Sequence, residues 1–251
     1  MKKTDSSDRR DSKQIKRYSV VITAAGSGSR FGSDQPKQFL MIQDKPMIIH
    51  SISAFLSDPI INDQQVLIKD IIITIQDAYK SALESLISQY VSAELATKIK
   101  LVPGGKTRQL SVFNGIQSIS GHIDGVVIHD GARPHIGTDL ILRVLNAGKI
   151  HKAVIPVIPV TDTIKQVDQD QVSAHLDRAH LAAVQTPQYF ELDSICAAYK
   201  KVDISDPKVN ITDESMLMDT INEPVKTVVG DISNIKVTYP SDIETIQYKT
   251  V

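Results

Sequence analysis

Short runs of apolar, largely β-branched residues recur along this chain, and the stretches between them have the spacing of amphipathic helices. The runs are Tyr18–Thr23, Ile71–Ile75, Lys100–Val102, Gly125–His129 and Ala153–Val157. They are mostly apolar throughout rather than alternating, the pattern of strands covered on both faces. Between them, Pro46–Leu56, Ala78–Ala96, Arg108–Ile119 and Asp139–Ile150 read as helices. Strands alternating with helices predict an α/β fold with right-handed crossovers. The expected architecture is a Rossmann-like three-layer αβα sandwich around a mostly parallel sheet.

The rhythm changes after Pro159. Thr161–Lys165 and Val172–Arg178 read as a hairpin-like excursion, and residues 160–184 are too polar for a core crossover. A protruding β-arm that packs against another subunit would account for them. Alternation then resumes with a helix from Glu191, another capped near Thr212, a strand at Val225–Val229 and a last helix opened by Pro240. Residues 1–17 are polar, carry acids as well as bases, and predict a disordered tail before a domain spanning 18–251.

Composition removes several functional classes. The 251 residues carry a formal net charge of -1, so no global field favours a nucleic-acid partner. Phosphate chemistry would have to come from a few placed cations. The single cysteine, Cys196, excludes an intramolecular disulfide framework and a multi-cysteine zinc site, and within Asp193–Tyr199 it reads as helical filler. No apolar run approaches the roughly 20 residues of a membrane span, and the N-terminus lacks the apolar core of a secretory signal. A cytoplasmic location with no membrane partner is expected.

A glycine-rich segment follows the first strand: Ala24-Ala25-Gly26-Ser27-Gly28-Ser29-Arg30-Phe31-Gly32. It fails as a dinucleotide fingerprint, because the third glycine position holds Phe31. Asp44, where a ribose-binding acid would be sought, lies in a Gln-Asp-Lys-Pro turn. Gly105-Lys106-Thr107 likewise fails as a P-loop, since Lys100 stands where its first glycine is required. What remains is a small-residue loop whose backbone N–H groups can approach a triphosphate, with Arg30 and Lys37 adding charge beside it.

This segment, with Pro36-Lys37-Gln38, resembles the nucleotide-binding signature of sugar-phosphate nucleotidyltransferases. More narrowly, the chain resembles the 2-C-methyl-D-erythritol 4-phosphate cytidylyltransferase family of non-mevalonate isoprenoid synthesis. Further blocks stand in family order: Gly104–Gly115, His129–Pro134, Pro159–Lys165, Gln185–Gln188, Thr212–Glu214 and Asn234–Thr238. The related ribitol-5-phosphate cytidylyltransferases share fold and donor, and a non-catalytic nucleotide sensor is the alternative from another class. Lys165 and the Asp-Gly-Ala-Arg-Pro and Thr-Asp-Glu blocks fit the methylerythritol enzymes better, and a sensor would not need cations for an acceptor phosphate.

The resemblance implies transfer of CMP from CTP to a polyol phosphate, with pyrophosphate leaving and Mg2+ held mainly by phosphates and water. A phosphate monoester is already anionic near neutral pH, so no base is needed. The chain accordingly shows no Ser-His or Cys-His pair suited to covalent catalysis. Arg30, Lys37, Arg178 and Lys236 would be the catalytic cations, the first two on the triphosphate and the last two on the acceptor phosphate. Ala24, Ala25, Gly26, Gly28, Gly105 and Ser111 would bind CTP. Asp130, Arg133, Thr163, Thr186 and Thr212 would bind the acceptor. Ser111 has a second reading as a helix serine bonding back to a carbonyl, and Thr212 one as a helix N-cap. Arg108 has a plain reading as a cation covering the surface. The arm carrying Thr163 and Arg178 would reach into a neighbour's site, giving a homodimer with shared active sites.

Overall fold

The computed structural model describes residues 15–26, 36–206 and 208–248, with side chains as far as residue 246. An eight-stranded, mainly parallel sheet organises them. Strands β1 (Lys16–Thr23), β2 (Val66–Ile75), β3 (Ile99–Pro103) and β4 (Gly125–Asp130) are parallel, in the order β3-β2-β1-β4. Chain order thus reverses at β1, with β2 on one side and β4 on the other. β5 (Ala153–Pro159) is followed by an exposed two-stranded arm, β6 (Lys165–Asp168) and β7 (Gln171–His175). The chain then returns through β8 (Ala182–Val184) and β9 (Gln188–Glu191), both antiparallel to β5, and β9 also pairs with β4. Finally, β10 (Lys226–Val229) pairs parallel with β5.

Helices cover both faces because neighbouring residues of each strand point opposite ways. Val20 and Ile22 of β1 pack with Ile48, Ile52 and Phe55 of α1 (Met47–Phe55), Leu83 of α2 (Lys80–Tyr90), and Ile141 and Val144 of α4 (Thr138–Gly148). Val21 faces the other layer, with Val112 and Ile116 of α3 (Arg108–Gln117) and Ile195 and Ala198 of α5 (Leu192–Tyr199). Each fully buried Ile, Val or Phe contributes about 1.5–3 kcal/mol against exposure. Gly115 lets α3 rest directly on β1, since a Cβ there would stand 2.6 Å from a Val21 methyl. A third cluster, Ile42, Met47, Val237 and Ile246, ties α6 (Pro240–Tyr248) beside the end of the sheet.

Several boundaries differ from the sequence reading, each for a local reason. β1 begins at Lys16, two residues before the expected Tyr18, because Lys16 and Arg17 pair with Val66 and Leu67. The helix expected over 78–96 breaks at Val91, whose backbone is extended. Ser92 then caps a separate turn, Ala93–Ala96, by accepting the Leu95 N–H. β9 is a buried antiparallel strand that the sequence reading passed over, and α5 starts only after it, at Leu192. The arm turns at Gln169-Asp170, both with positive φ, inside the span of 160–184.

Candidate active site

In open α/β sheets, ligands bind beyond the carboxyl ends of the strands where chain order reverses. Here that point is the crevice between the ends of β1 and β4. It opens into a cleft of about 480 Å3 lined by Ala24, Ala25 and Gly26 after β1, Asp130 at the end of β4, Gly105 to Arg108 leading into α3, and Lys37 and Lys236. Four cations (Lys37, Lys106, Arg108 and Lys236) and one carboxylate (Asp130) line it, so the excess charge is positive. An anionic ligand fits that balance.

The loop after β1 is held by side-chain amides. Gln38 and Gln76 donate to the carbonyls of Ala24 and Ala25, at 2.5 and 2.8 Å. Gly104 lets the neighbouring loop come against this one, because a Cβ would lie 2.2 Å from that of Ala25. Thr107 caps α3 by accepting the Leu110 N–H at 3.2 Å. Ser111 accepts the Gly105 N–H at 3.0 Å and donates to the Thr107 carbonyl at 2.9 Å. The bond back to a carbonyl four residues earlier is therefore real, and it also fixes the backbone of Gly105 in the cleft wall.

Lys37 and Lys236 are brought together by one segment. Lys37 Nζ donates to the Val237 carbonyl at 2.8 Å, while Val237 is buried and its N–H bonds to Ala132 at 2.8 Å. That arrangement leaves Lys236 beside the end of β4, with Nζ 2.7 Å from Asp130 Oδ2. Asp130 is a buried carboxylate with Arg108 Nε at 3.0 Å from Oδ1 and Arg133 Nε at 4.0 Å from Oδ2. Burial alone would raise its pKa, but Arg108 and Lys236 outweigh it and hold the carboxyl well below the usual range. Asp130 is ionised throughout the physiological range.

Beneath this carboxylate lies a buried polar layer. His129 is fully buried, with Nε2 3.2 Å from the Arg133 carbonyl and Nδ1 3.0 Å from Thr186 Oγ1. A carbonyl only accepts, so Nε2 carries the proton and Nδ1 accepts from the Thr186 hydroxyl. The same hydroxyl accepts the Asp130 N–H at 3.1 Å. Burial pulls the His129 pKa down to about 4, leaving the ring neutral near pH 7. Arg133 is buried too, donating to the carbonyls of Asn234 at 2.7 Å and Val184 at 3.4 Å.

The expected site residues therefore divide. Ala24, Ala25, Gly26, Lys37, Gly105, Ser111, Asp130 and Lys236 meet at the cleft. Arg133 and Thr186 do not line it. Both are buried: the Thr186 hydroxyl lies between His129 and the Asp130 N–H, and Arg133 donates to the Asn234 carbonyl. Thr163 and Arg178 are exposed on the arm, outside the cleft lining, and Arg178 Nη1 donates to the Thr161 carbonyl. Thr212 is exposed and its hydroxyl meets Met216 Sδ at 3.3 Å; Asp213, not Thr212, accepts the N–H of Ser215 where the short helix Ser215–Met218 begins. Gly28 and Arg30 lie outside the described residues.

The sequence reading also missed a pair. Arg108, there a surface candidate, bridges Asp130 and Glu214, whose two carboxylate oxygens lie 2.9 and 2.8 Å from Nη1. Glu214 is fully buried, and burial pushes its carboxyl up against the pull of Arg108. No local signal marks such a pair, because its members are 106 residues apart. Among the described residues, no group of three or more His, Cys, Asp or Glu could hold a metal ion by itself.

Comparison with known proteins places this geometry in a family. A family model described as 2-C-methyl-D-erythritol 4-phosphate cytidylyltransferase matches residues 18–249. The protein of that name from Clostridioides difficile (strain 630) is 39% identical over 228 residues, covering 90% of this chain and 90% of its own length. That from Carboxydothermus hydrogenoformans is 31% identical over 237 residues, covering 93% and 95%. Among solved structures, the 4-diphosphocytidyl-2C-methyl-D-erythritol synthase of Anaerococcus prevotii DSM 20548 superposes with a TM-score of 0.77 at 29% identity, covering 94% of this chain and 98% of that one. The structure of 2-C-methyl-D-erythritol 4-phosphate cytidylyltransferase from Thermus thermophilus, at 23% identity and a TM-score of 0.71, covers 92% of this chain and 97% of that one and is similar in fold.

Proposed function

Because the chain belongs to the 2-C-methyl-D-erythritol 4-phosphate cytidylyltransferase family, we propose that its cleft joins CTP to 2-C-methyl-D-erythritol 4-phosphate, releasing pyrophosphate. It is a CTP-dependent nucleotidyltransferase of non-mevalonate isoprenoid synthesis. An acceptor phosphate oxygen attacks the α-phosphorus of CTP. The new P–O bond forms as the bond to the bridging oxygen between the α- and β-phosphorus breaks, and that oxygen leaves with pyrophosphate. No proton need move. The observation that carries this reading is the cluster of Lys37, Lys236 and Arg108 around ionised Asp130 at the β1/β4 switch point.

The difficulty of this reaction is repulsion between its reactants. Two unit charges 4 Å apart repel by about 4 kcal/mol at an effective dielectric of about 20. Lys37 and the start of the glycine loop, Ala24 to Gly26, would take the triphosphate, and Lys236 the acceptor phosphate. Catalysis is then positioning plus neutralisation by charges fixed before substrate arrives. Gly105, with its backbone held by Ser111, is placed to present main-chain groups to the cytosine. Gly28 and Arg30 belong to the same proposal by resemblance.

Magnesium fits this site as a guest of the substrates. Mg2+ commonly takes one or two carboxylates plus phosphate oxygens and water, and Asp130 is the carboxylate lining the cleft. Bound there with the phosphates, the ion would supply further charge neutralisation.

A homodimer is part of the proposal. Thr163 and Arg178 sit on the arm, away from their own chain's cleft, and the arm exposes Val167, Val172 and Leu176. A second copy that covered these side chains would bring Arg178 to the partner's acceptor phosphate, where a guanidinium binds bidentately. A cytoplasmic location goes with CTP as donor; no helix among the described residues is long and apolar enough to cross a membrane.

The test is pyrophosphate release from CTP and Mg2+ with either 2-C-methyl-D-erythritol 4-phosphate or ribitol 5-phosphate. Turnover with the first and little with the second is expected. Preference for ribitol phosphate would reassign the acceptor, and silence with both would overturn the reaction.

A further inference from the structure

We infer that Glu214 is a positioning residue for the acceptor half of the site, acting through Arg108 on the pairing of Asp130 with Lys236; the inference rests on the reaction proposed above. Glu214 is fully buried and does not line the cleft. Both its oxygens face Arg108 Nη1, at 2.9 and 2.8 Å, and the Tyr199 hydroxyl lies 3.5 Å from Oε1. Stability gives little reason for such a pair. A buried ion pair is commonly no better for folding than apolar residues of the same volume.

What the pair does is divide a carboxylate. An arginine left alone with an aspartate tends to fork onto it, using two parallel N–H groups for the two oxygens. Glu214 takes Nη1 and so fixes the turn of the guanidinium, whose bond to Asp130 runs from Nε to Oδ1. Oδ2 is left to Lys236 Nζ at 2.7 Å. With Glu214 neutralised, the guanidinium is free to turn, take both Asp130 oxygens and displace the ammonium. Lys236 would then leave the place from which it meets the acceptor phosphate. Glu214 also supplies the second negative charge among three cations, Arg108, Arg133 and Lys236, that crowd Asp130.

The variant Glu214→Gln keeps the volume but turns an amide NH2 toward the donors of Arg108. Steady-state kinetics of the full-length enzyme should show the KM for 2-C-methyl-D-erythritol 4-phosphate rising about tenfold, the lower end of what outer-shell substitutions produce. The KM for CTP should stay within about twofold. Arg108→Lys keeps a charge beside Asp130 but cannot bridge both acids, and should give the same acceptor-side signature even if Glu214→Gln folds poorly. The double variant should be no worse than either single one. Equal losses toward both substrates, an unchanged acceptor KM in both single variants, or additive effects in the double variant would each overturn the inference. If the wild type itself lacks the activity, the reaction fails first; with an active wild type, these outcomes strike the role of Glu214 alone.

Discussion

Thr186 offers the sharpest division between resemblance and geometry. The family likeness assigns its hydroxyl to the polyol, yet here the hydroxyl is buried and spans His129 Nδ1 at 3.0 Å and the Asp130 N–H at 3.1 Å. Thr186→Val keeps the shape and deletes both bonds. Each buried polar group left without a partner costs about 1–3 kcal/mol, so the pair should cost about 2–6 kcal/mol. For a chain of this size each kcal/mol lowers the melting temperature by roughly 2–4 °C, giving a fall on the order of 4–24 °C. Urea denaturation followed by circular dichroism reads the change in midpoint directly, with the slope unchanged if the denatured state is unaffected. Turnover should also fall, because the Asp130 N–H loses its tie to Thr186. A variant with wild-type melting temperature and a raised KM for the acceptor would refute this reasoning and restore Thr186 to the substrate.

Other perturbations separate the remaining roles. His129 should make stability fall with acidification: its folded pKa, about 4, lies below the ordinary 6.5, so protonation favours the unfolded chain as pH drops between those values. That contribution is complete above pH 6.5, and its loss is worth about 3 kcal/mol by pH 4; in His129→Gln, whose amide can imitate the ring's donor and acceptor, this part of the melting curve's pH dependence should vanish. Lys37→Ala should fold normally and lose turnover by on the order of 10²–10³, with CTP affinity changed less, as for loss of a preorganised charge; near-normal turnover would remove Lys37 from the reaction. Coexpressing Arg178→Ala and Lys37→Ala chains should recover some pyrophosphate release through mixed dimers with one intact site, and wholly inactive mixtures would argue against shared sites.

The layers and the location of the cleft were legible because they follow from one-dimensional patterns. Uninterrupted apolar runs gave strands, and the small residues after Thr23 marked a strand end that must accept a ligand's backbone approach. Ala24, Ala25, Gly26, Gly105 and Asp130 follow from that logic and from the family likeness together. The support of the site was not legible. Glu214 looks like one acid among others before a short helix, and only the fold shows it buried against an arginine 106 residues earlier. Gln38 stood in the Pro36-Lys37-Gln38 block without a role, and Gln76 carried no signal, although their amides hold successive carbonyls of the nucleotide loop. β9 was missed because Gln188–Glu191 is too short and too mixed in polarity to announce a buried antiparallel strand inside a parallel sheet.

The same long-range contacts suit a reaction that needs no general base. A base must change protonation during turnover, and the groups at the base of this cleft are held against doing so near neutral pH. Burial keeps His129 neutral, while Arg108 and Lys236 keep Asp130 ionised despite its burial. Three of the four cations lining the cleft are tied to groups from distant parts of the chain: Arg108 to Glu214, Lys236 to Asp130, and Lys37 to the carbonyl next to Lys236. Charges fixed in this way need little reorganisation when a triphosphate and a monoester approach each other, and that suits a transfer in which no proton moves. The chemistry that remains is supplied by the substrates. The protein's part is to make their meeting electrostatically tolerable, which is why buried residues outside the cleft lining, Glu214 and Thr186 among them, are as much a part of the site as the lysines that line it.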